Sequence, residues 1–255
     1  MLLAVDVGNT NMVFGIFKGN DLIGSFRLMT DTNKTSDEIG LAACQYFRRF
    51  NLHPEEVEDV IIASVVPQIM YSLTNAATKY FDRDPIVIDD DVDPGLPYEG
   101  DERLGADRAV ACVAAMEKYG KPLVVLDFGT ATTIDALSHD GRYLGGSIST
   151  GMRVSADALS NKTAMLPRVE LAMPDKVLGL TAAGQIQAGT VVGYIGSMDY
   201  LVRLTKKEMG YGEHIKVIAT GGLARIVADH SDFIDVVDSQ LILDGLRIIY
   251  ERDKR

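Results

Sequence analysis

The sequence predicts an α/β protein made of two repeated β-β-β-α-β-α-β halves, each with a mixed sheet. Three observations carry this expectation. The run "LLAVDVGNTNMVFGIF" at 2–17 is apolar at both ends and holds Asp6, Asn9, Thr10 and Asn11 at its centre. The run "LVVLDFGTATTIDAL", 121 residues later, repeats the design with Asp127, Gly129, Thr130 and Thr132. Each run continues through a hairpin-type turn into a further β-rich stretch, and alternating helix and strand patterns follow both. A chain of 255 residues accommodates one large domain or two of about 100–150 residues. The repeat favours two, divided as 1–118 and 119–255.

In the first half, "LLAVDV" is a buried strand, and Gly19-Asn20 joins the next two β-rich runs, so residues 2–29 form an antiparallel meander. Thr35 and Glu38 have capping-box spacing, and Ile39, Ala43, Tyr46, Phe47 and Phe50 share one helical face, which predicts a helix over 36–50. "VEDVIIASVV" is a buried strand, Pro67 suits the first turn of a helix through Phe81, and "PIVID" adds a short strand. The Pro/Gly/Asp-rich passage "DDDVDPGLPYEGDERLG" then interrupts regular structure before a helix from Ala106 to Tyr119 that stops at Gly120.

The second half restarts in "PLVVLDFG", continues through "TTIDALS", turns at Asp140-Gly141 and returns in "RYLGGSIS". Helical patterns follow at 151–163 and 181–209, the second with Ile186, Val191, Tyr194, Ile195, Met198, Leu201 and Val202 as its apolar face. Strand "IKVIAT", a Gly221-Gly222 turn, a short helix, strand "FIDVV" and a closing helix from Leu241 complete the half.

Hydrophobic residues make up 47% of the chain and charged residues 24%, which is material for packed cores rather than disorder. A formal net charge of -11, with no Lys/Arg block, repels a polyanion, so nucleic acid is not an expected partner. A nucleotide is still accommodated, because backbone N–H groups and a bound cation hold phosphates against an unfavourable overall charge. Cys44 and Cys112 read as small buried hydrophobes, and His53, His139, His214 and His230 have no ligand spacing. Arg153, Lys162 and Arg168 read as solvated surface charges. The short apolar run before Asp6 is no signal segment, and no run approaches the roughly 18 apolar residues of a membrane span. The expectation is a cytoplasmic protein with no membrane partner.

A strand that ends in Asp and turns through Gly into hydroxyl and amide residues suits phosphate. Gly lets the backbone come close to a ligand, and exposed N–H groups and Asn/Thr side chains donate to phosphate oxygens. Asp holds Mg²⁺, usually through water, beside phosphates whose charge would otherwise repel it. Two such turns facing across a cleft would grip opposite sides of a polyphosphate. One D-x-G-N/T alone is common at plain turns; order and duplication carry the signal. No GxGxxG follows a strand and no GxxxxGK[ST] occurs, so Rossmann and P-loop fingerprints are missing.

"DVGNTN" at 6–11, "LDFGTATT" at 126–133 and "ATGGLA" at 219–224 resemble the first phosphate, second phosphate and adenosine motifs of the acetate and sugar kinase, heat-shock ATPase and actin superfamily. That resemblance implies two ribonuclease-H-like, actin-like ATPase domains. With "SVVP" at 64–67, "GADR" at 105–108, "GTATT" at 129–133 and "LPRVEL" at 166–171, the chain is similar to type III pantothenate kinases over essentially its whole length. The family transfers the γ-phosphate of ATP to the primary hydroxyl of pantothenate, the first step towards coenzyme A. The resemblance therefore implies Mg-ATP and a monovalent cation, K⁺ or NH₄⁺, as cofactors, with pantothenate as acceptor. It also implies a homodimer whose interface helps complete the pantothenate pocket.

By position, the resemblance makes Asp107 the proton acceptor for the pantothenate hydroxyl, with Gly105, Ala106, Arg108 and Tyr98 binding substrate beside it. Asp6, Val7, Gly8, Asn9, Thr10, Asn11, Met12 and Val13 would line the first phosphate loop, and Thr130 would reach the nucleotide. Asp127 would hold the monovalent cation, and Asp6 could hold Mg²⁺ through water. The residues alone leave plainer roles open. An Asp in a first helical turn compensates the helix dipole, Arg108 can pair with Asp101 or Glu102, Tyr98 can pack in its loop, and Asp127 can take Mg²⁺. As a base Asp107 is modest, which suffices if phosphoryl transfer is loose and positioning dominates.

Two departures from the family pattern stand out. A threonine that contacts substrate lies seven residues before the glycine of a family "QSG" segment; here the segment is "QAG" at 187–189, the position is Ala182 and its neighbour is Thr181. Both are candidate substrate residues. "STG" at 149–151 lacks a proline common before that glycine, a change of backbone rigidity more than of chemistry. Two other readings remain beside the kinase: a nucleotide-binding regulatory protein of the same fold, like the Bvg accessory factors, and a phosphatase-like member with water in place of pantothenate. "GADR" favours an organic acceptor over water.

Overall fold

A computed structural model of the chain describes residues 1–88, 91–100 and 104–254. Its contacts define two units. One comprises Met1–Leu96, Gly100–Ala114 and Leu241–Arg255, the other Pro97–Glu99 and Ala115–Gln240.

In the first unit, β1 (Leu2–Val7), β2 (Asn11–Lys18) and β3 (Asp21–Met29) form the expected meander, turning at Gly19-Asn20 where Gly19 takes φ +59°. α1 (Ser36–Arg49) begins with the expected capping box. Thr35 Oγ1 accepts the Glu38 N–H at 3.2 Å and Glu38 Oε2 accepts the Thr35 N–H at 2.9 Å, together worth about 1 kcal/mol. β4 (Asp59–Ser64) pairs parallel with β1, α2 (Pro67–Phe81) starts on Pro67, and β5 (Ile86–Val87) pairs with β4. The sheet order is β3-β2-β1-β4-β5. Central β1 is buried on both faces, with Leu3, Ala4, Val5 and Val7 at most 1% exposed, which is why it reads as an unbroken apolar run. Ile39 and Phe47 of α1 and Ile69 and Leu73 of α2 close one face over Leu3, Val5 and Ile62. α3 (Ala106–Tyr119) follows and stops, as expected, before Gly120 at φ +79°.

The second unit repeats the plan. β6 (Leu123–Phe128), β7 (Ala131–Leu137) and β8 (Tyr143–Thr150) form the meander; α4 (Met152–Lys162), α5 (Ala182–Gln187) and α6 (Gly193–Met209) follow, then β9 (Lys216–Thr220), α7 (Ala224–Ala228) and β10 (Val236–Val237). The order β10-β9-β6-β7-β8 is that of the first sheet read from the other edge. Even an irregularity repeats: register shifts fall between Ile16 and Phe17 on β2 and between Ala136 and Leu137 on β7. The helix expected over 181–209 is interrupted by a π-turn, Ala188–Val192, between α5 and α6. That turn keeps Ile186 and Val191, five positions apart, both buried, where a regular 3.6-residue period would rotate one of them outward.

The closing helix α8 (Leu241–Asp253) belongs to the first unit, whereas a division at 118/119 assigned it to the second. Packing is the reason. Leu243 lies so close to Gly15 that a Cβ there would be 2.9 Å from its Cδ1, and Gly245 crosses α3 where a Cβ would be 2.5 Å from the Val110 carbonyl oxygen. The Tyr250 hydroxyl donates to the Asp59 carboxylate, and Lys254 Nζ donates to the same group at 2.6 Å. Cys112 is fully buried as expected, while Cys44 keeps partial exposure. No described helix is long and apolar enough to cross a membrane.

Candidate active site

The first loop leaves β1 through Gly8, Asn9 and Thr10. Half-buried Asp6 stands one residue before the strand's end, between Val13 on β2 and Ala63 on β4. The Gly8 N–H closes the hairpin on the Asn11 carbonyl at 3.0 Å. Thr30, just beyond β3, braces the turn: its N–H donates to the Thr10 carbonyl at 3.0 Å and its Oγ1 to the Gly8 carbonyl at 2.7 Å. Asn9 and Thr10 are exposed at the tip, and Asn11 and Val13 are half-buried. Val7 and Met12 are 0% exposed, so their side chains fill the core and only their backbone can meet a ligand. The role of Thr30 was missed in the sequence, because a hydroxyl at a strand end carries no signature of its partner.

"GADR" opens α3 in the same unit. The Gly105 carbonyl accepts the Ala109 N–H at 3.0 Å, and Asp107 Oδ1 accepts the Arg108 N–H at 2.8 Å, a favourable place for an anion at the positive end of a helix. A Cβ on Gly105 would lie 2.8 Å from that Asp107 oxygen and 3.8 Å from Val65 Cγ1. Val65 in turn donates its N–H to the Val7 carbonyl at 3.1 Å. The start of α3 therefore stands beside the carboxyl ends of β1 and β4, where Asp6 is also found. Ala106 is buried and offers backbone only; Arg108 is half-buried. Asp101 and Glu102, the acids weighed as its partners, lie outside the described residues.

The second loop reproduces the first. Half-buried Asp127 stands between Thr133 and Thr220 in the register of Asp6, and the Gly129 N–H closes on the Ala131 carbonyl at 3.1 Å. Thr130 is exposed, and its carbonyl accepts the Gly151 N–H at 3.0 Å. Two glycines press on this turn: a Cβ on Gly151 would be 2.3 Å from the Gly129 carbonyl oxygen, and one on Gly221, at φ +92°, would be 2.5 Å from Asp127 Oδ1. Gly221, expected at a strand-to-helix turn within the adenosine-like "ATGGLA", is thus also a neighbour of Asp127. Thr133, opposite Asp127 and so on the same face of the sheet, has a buried Oγ1 with no hydrogen-bond partner among the described residues.

Tyr98 and Thr181 lie in the second unit. The Tyr98 ring stands edge-on to Tyr143 with centroids 6.2 Å apart, and the Tyr143 N–H donates to the Pro97 carbonyl at 2.8 Å. Thr181 caps α5, its Oγ1 accepting the Gly184 N–H at 3.1 Å. That commits one lone pair and leaves the hydroxyl proton to donate. Ala182, the first residue of α5, is exposed.

Two mixed five-stranded sheets of one strand order, each with a central strand that carries Asp one residue before its end and turns through Gly, define the fold shared by sugar kinases and actin-like ATPases. Three solved structures illustrate it. A Campylobacter jejuni protein described as a conserved Baf family transcriptional activator aligns with a TM-score of 0.62 at 22% identity, over 99% of this chain and 98% of that one. A Sinorhizobium meliloti protein described as a 2-dehydro-3-deoxygalactonokinase aligns with a TM-score of 0.61 at 14% identity, over 99% and 96%. The activator of the 2-hydroxyisocaproyl-CoA dehydratase from Clostridium difficile, with bound ADPNP, aligns with a TM-score of 0.53 at 14% identity, over 99% and 95%. A family model for type III pantothenate kinase matches residues 2–204, and the chain belongs to that family. It is accordingly a kinase, an ATP-binding phosphotransferase.

Proposed function

We propose that the enzyme transfers the γ-phosphate of Mg-ATP to the primary hydroxyl of pantothenate, giving 4'-phosphopantothenate at the start of coenzyme A biosynthesis in the cytoplasm. The observation that carries this reading is the pair Asp6 and Asp127, each one residue before the end of a central strand, set in one register of two like sheets within a family-matched chain.

Residues Asp6 to Val13 line the phosphates, with Val7 and Met12 contributing backbone alone, and Thr130 reaches the nucleotide. Asp6 suits Mg²⁺ held through water, since a hard cation that keeps several waters needs few protein carboxylates. The metal's contribution is to neutralise charge on the phosphoryl oxygens. Asp107 takes the proton from the pantothenate hydroxyl as its oxygen bonds to phosphorus. Gly105, Ala106 and Tyr98 hold the substrate, the planar fork of Arg108 suits its carboxylate, and either Thr181 or Ala182 stands at the family's threonine contact. Asp127 holds K⁺ or NH₄⁺; the orphaned Thr133 oxygen on the same face supports an oxygen-coordinated cation there. The family resemblance also supports a homodimer.

ADP release from Mg-ATP, followed with and without pantothenate and with K⁺ replaced by Na⁺, tests the proposal. Turnover that needs both pantothenate and K⁺ is expected. Equal ATP loss without pantothenate would make the protein a phosphatase or ATPase. Nucleotide binding without turnover would favour a regulator, a second reading to which the similar Campylobacter protein gives some weight. The net charge of -11 argues against direct contact of such a regulator with DNA.

A further inference from the structure

Gly151 precedes α4 and gives it no side-chain cap, although the first N–H groups of a helix need partners. No capping residue fits there, because a Cβ at 151 would be 2.3 Å from the Gly129 carbonyl oxygen and 2.5 Å from that of Thr130. The hydroxyl of Tyr194, the second residue of α6, reaches the same turn. It shares a hydrogen bond with Thr132 Oγ1, and the tyrosine ring packs on the core that holds Met152, the first residue of α4. Thr132 is 1% exposed and lies two residues past Thr130. The Tyr194 ring packs 6.3 Å from that of Phe128, the residue after Asp127. Burial above all, helped by the nearby Asp127 charge, pushes this hydroxyl up, so it stays neutral. The π-turn Ala188–Val192 lies directly ahead of α6, and its extra residue rotates everything beyond it by roughly 100° relative to α5. Tyr194 is turned onto the loop by that insertion.

We propose that Tyr194 is a positioning residue for phosphoryl transfer: through its hydrogen bond to Thr132 and its packing beside Met152 it fixes the Gly129–Ala131 turn and the start of α4 as one rigid support for the nucleotide. The inference rests on the kinase reading above.

The test is Mg-ATP binding by calorimetry, with steady-state kinetics, for Tyr194→Phe, Thr132→Val and the double variant. Tyr194→Phe keeps the ring against Phe128 and removes only the oxygen. Leaving Thr132 without it is expected to weaken Mg-ATP binding about tenfold and to raise KM for ATP equally. KM for pantothenate should not change. The two single effects should fail to add in the double variant, because both remove one bond. A lower melting temperature with unchanged Mg-ATP affinity would make Tyr194 merely structural and overturn the proposal, as would strictly additive effects. If the parent enzyme binds Mg-ATP but does not phosphorylate pantothenate, the kinase reading fails while the affinity comparison still decides the role of Tyr194.

Discussion

Gly151 rests on Thr130: its N–H donates to the Thr130 carbonyl at 3.0 Å, and a Cβ added to it would lie 2.5 Å from that same oxygen. The obstacle is main chain, so no rotamer change relieves it. Gly151→Ala should therefore push the Gly129-Thr130 turn outward, at a cost of about 1–3 kcal/mol typical of overpacking. Thermal melts should register the loss, and ATP titration should show a raised KM for ATP with KM for pantothenate little altered. A variant with the parent's KM for ATP would mean that this turn does not hold the nucleotide.

Asp107→Asn preserves shape and leaves an oxygen to accept the Arg108 N–H, but removes the basic carboxylate. Mg-ATP binding should be retained, while pantothenate-dependent ADP release should fall by about 10²–10⁴-fold, the usual contribution of a positioned acid or base. Near-normal turnover would exclude Asp107 as the proton acceptor.

What could be read from the chain was what acts over a few residues. The Gly19-Asn20 turn, the Thr35/Glu38 capping box, Pro67 and Gly120 each end or begin an element by local chemistry, and those elements formed where expected. The likeness of the Asp6 and Asp127 loops was visible because strand, turn and strand are contiguous. Contacts between distant segments carry no such mark. Nothing in 241–253 tells Leu243 that it will pack on Gly15, and nothing around Tyr194 names Thr132, 62 residues earlier. The π-turn was hidden because one five-residue step among steps of three and four barely alters an apolar period. That Gly151 and Gly221 press on the second loop was not legible, since the backbone each must clear lies elsewhere in the chain.

Asp238, 8% exposed, receives Lys118 Nζ at 2.6 Å, the Tyr119 hydroxyl at 2.8 Å and the Gln240 N–H at 3.0 Å. Burial by itself raises a carboxyl, but these donors together outweigh it and hold Asp238 below the usual carboxylate range. A depressed folded value means that the stabilisation is complete above the unfolded value of about 3.9 and disappears as pH falls through the folded one. Asp238→Asn should cost about 2 kcal/mol near neutrality, where Lys118 loses a charge-assisted bond. Melting curves taken between about pH 6 and pH 3 should show the parent converging on the variant at the acid end. A gap that stays constant would place the loss in packing rather than in the ion pair.

Thr181 and Ala182 separate helix capping from substrate contact. Thr181 Oγ1 is held by the Gly184 N–H, which fixes its rotamer, whereas Ala182 is exposed at the family's threonine position and has room for a hydroxyl. Thr181→Ala should cost about 1 kcal/mol of stability through the lost cap and leave KM for pantothenate unchanged. Ala182→Thr should lower KM for pantothenate about threefold to tenfold, the worth of one added hydrogen bond, without changing KM for ATP. Steady-state kinetics on both variants decide the matter. If instead Thr181→Ala raises KM for pantothenate and Ala182→Thr does nothing, the capping hydroxyl is itself the substrate's donor, and this chain has moved the contact by one residue.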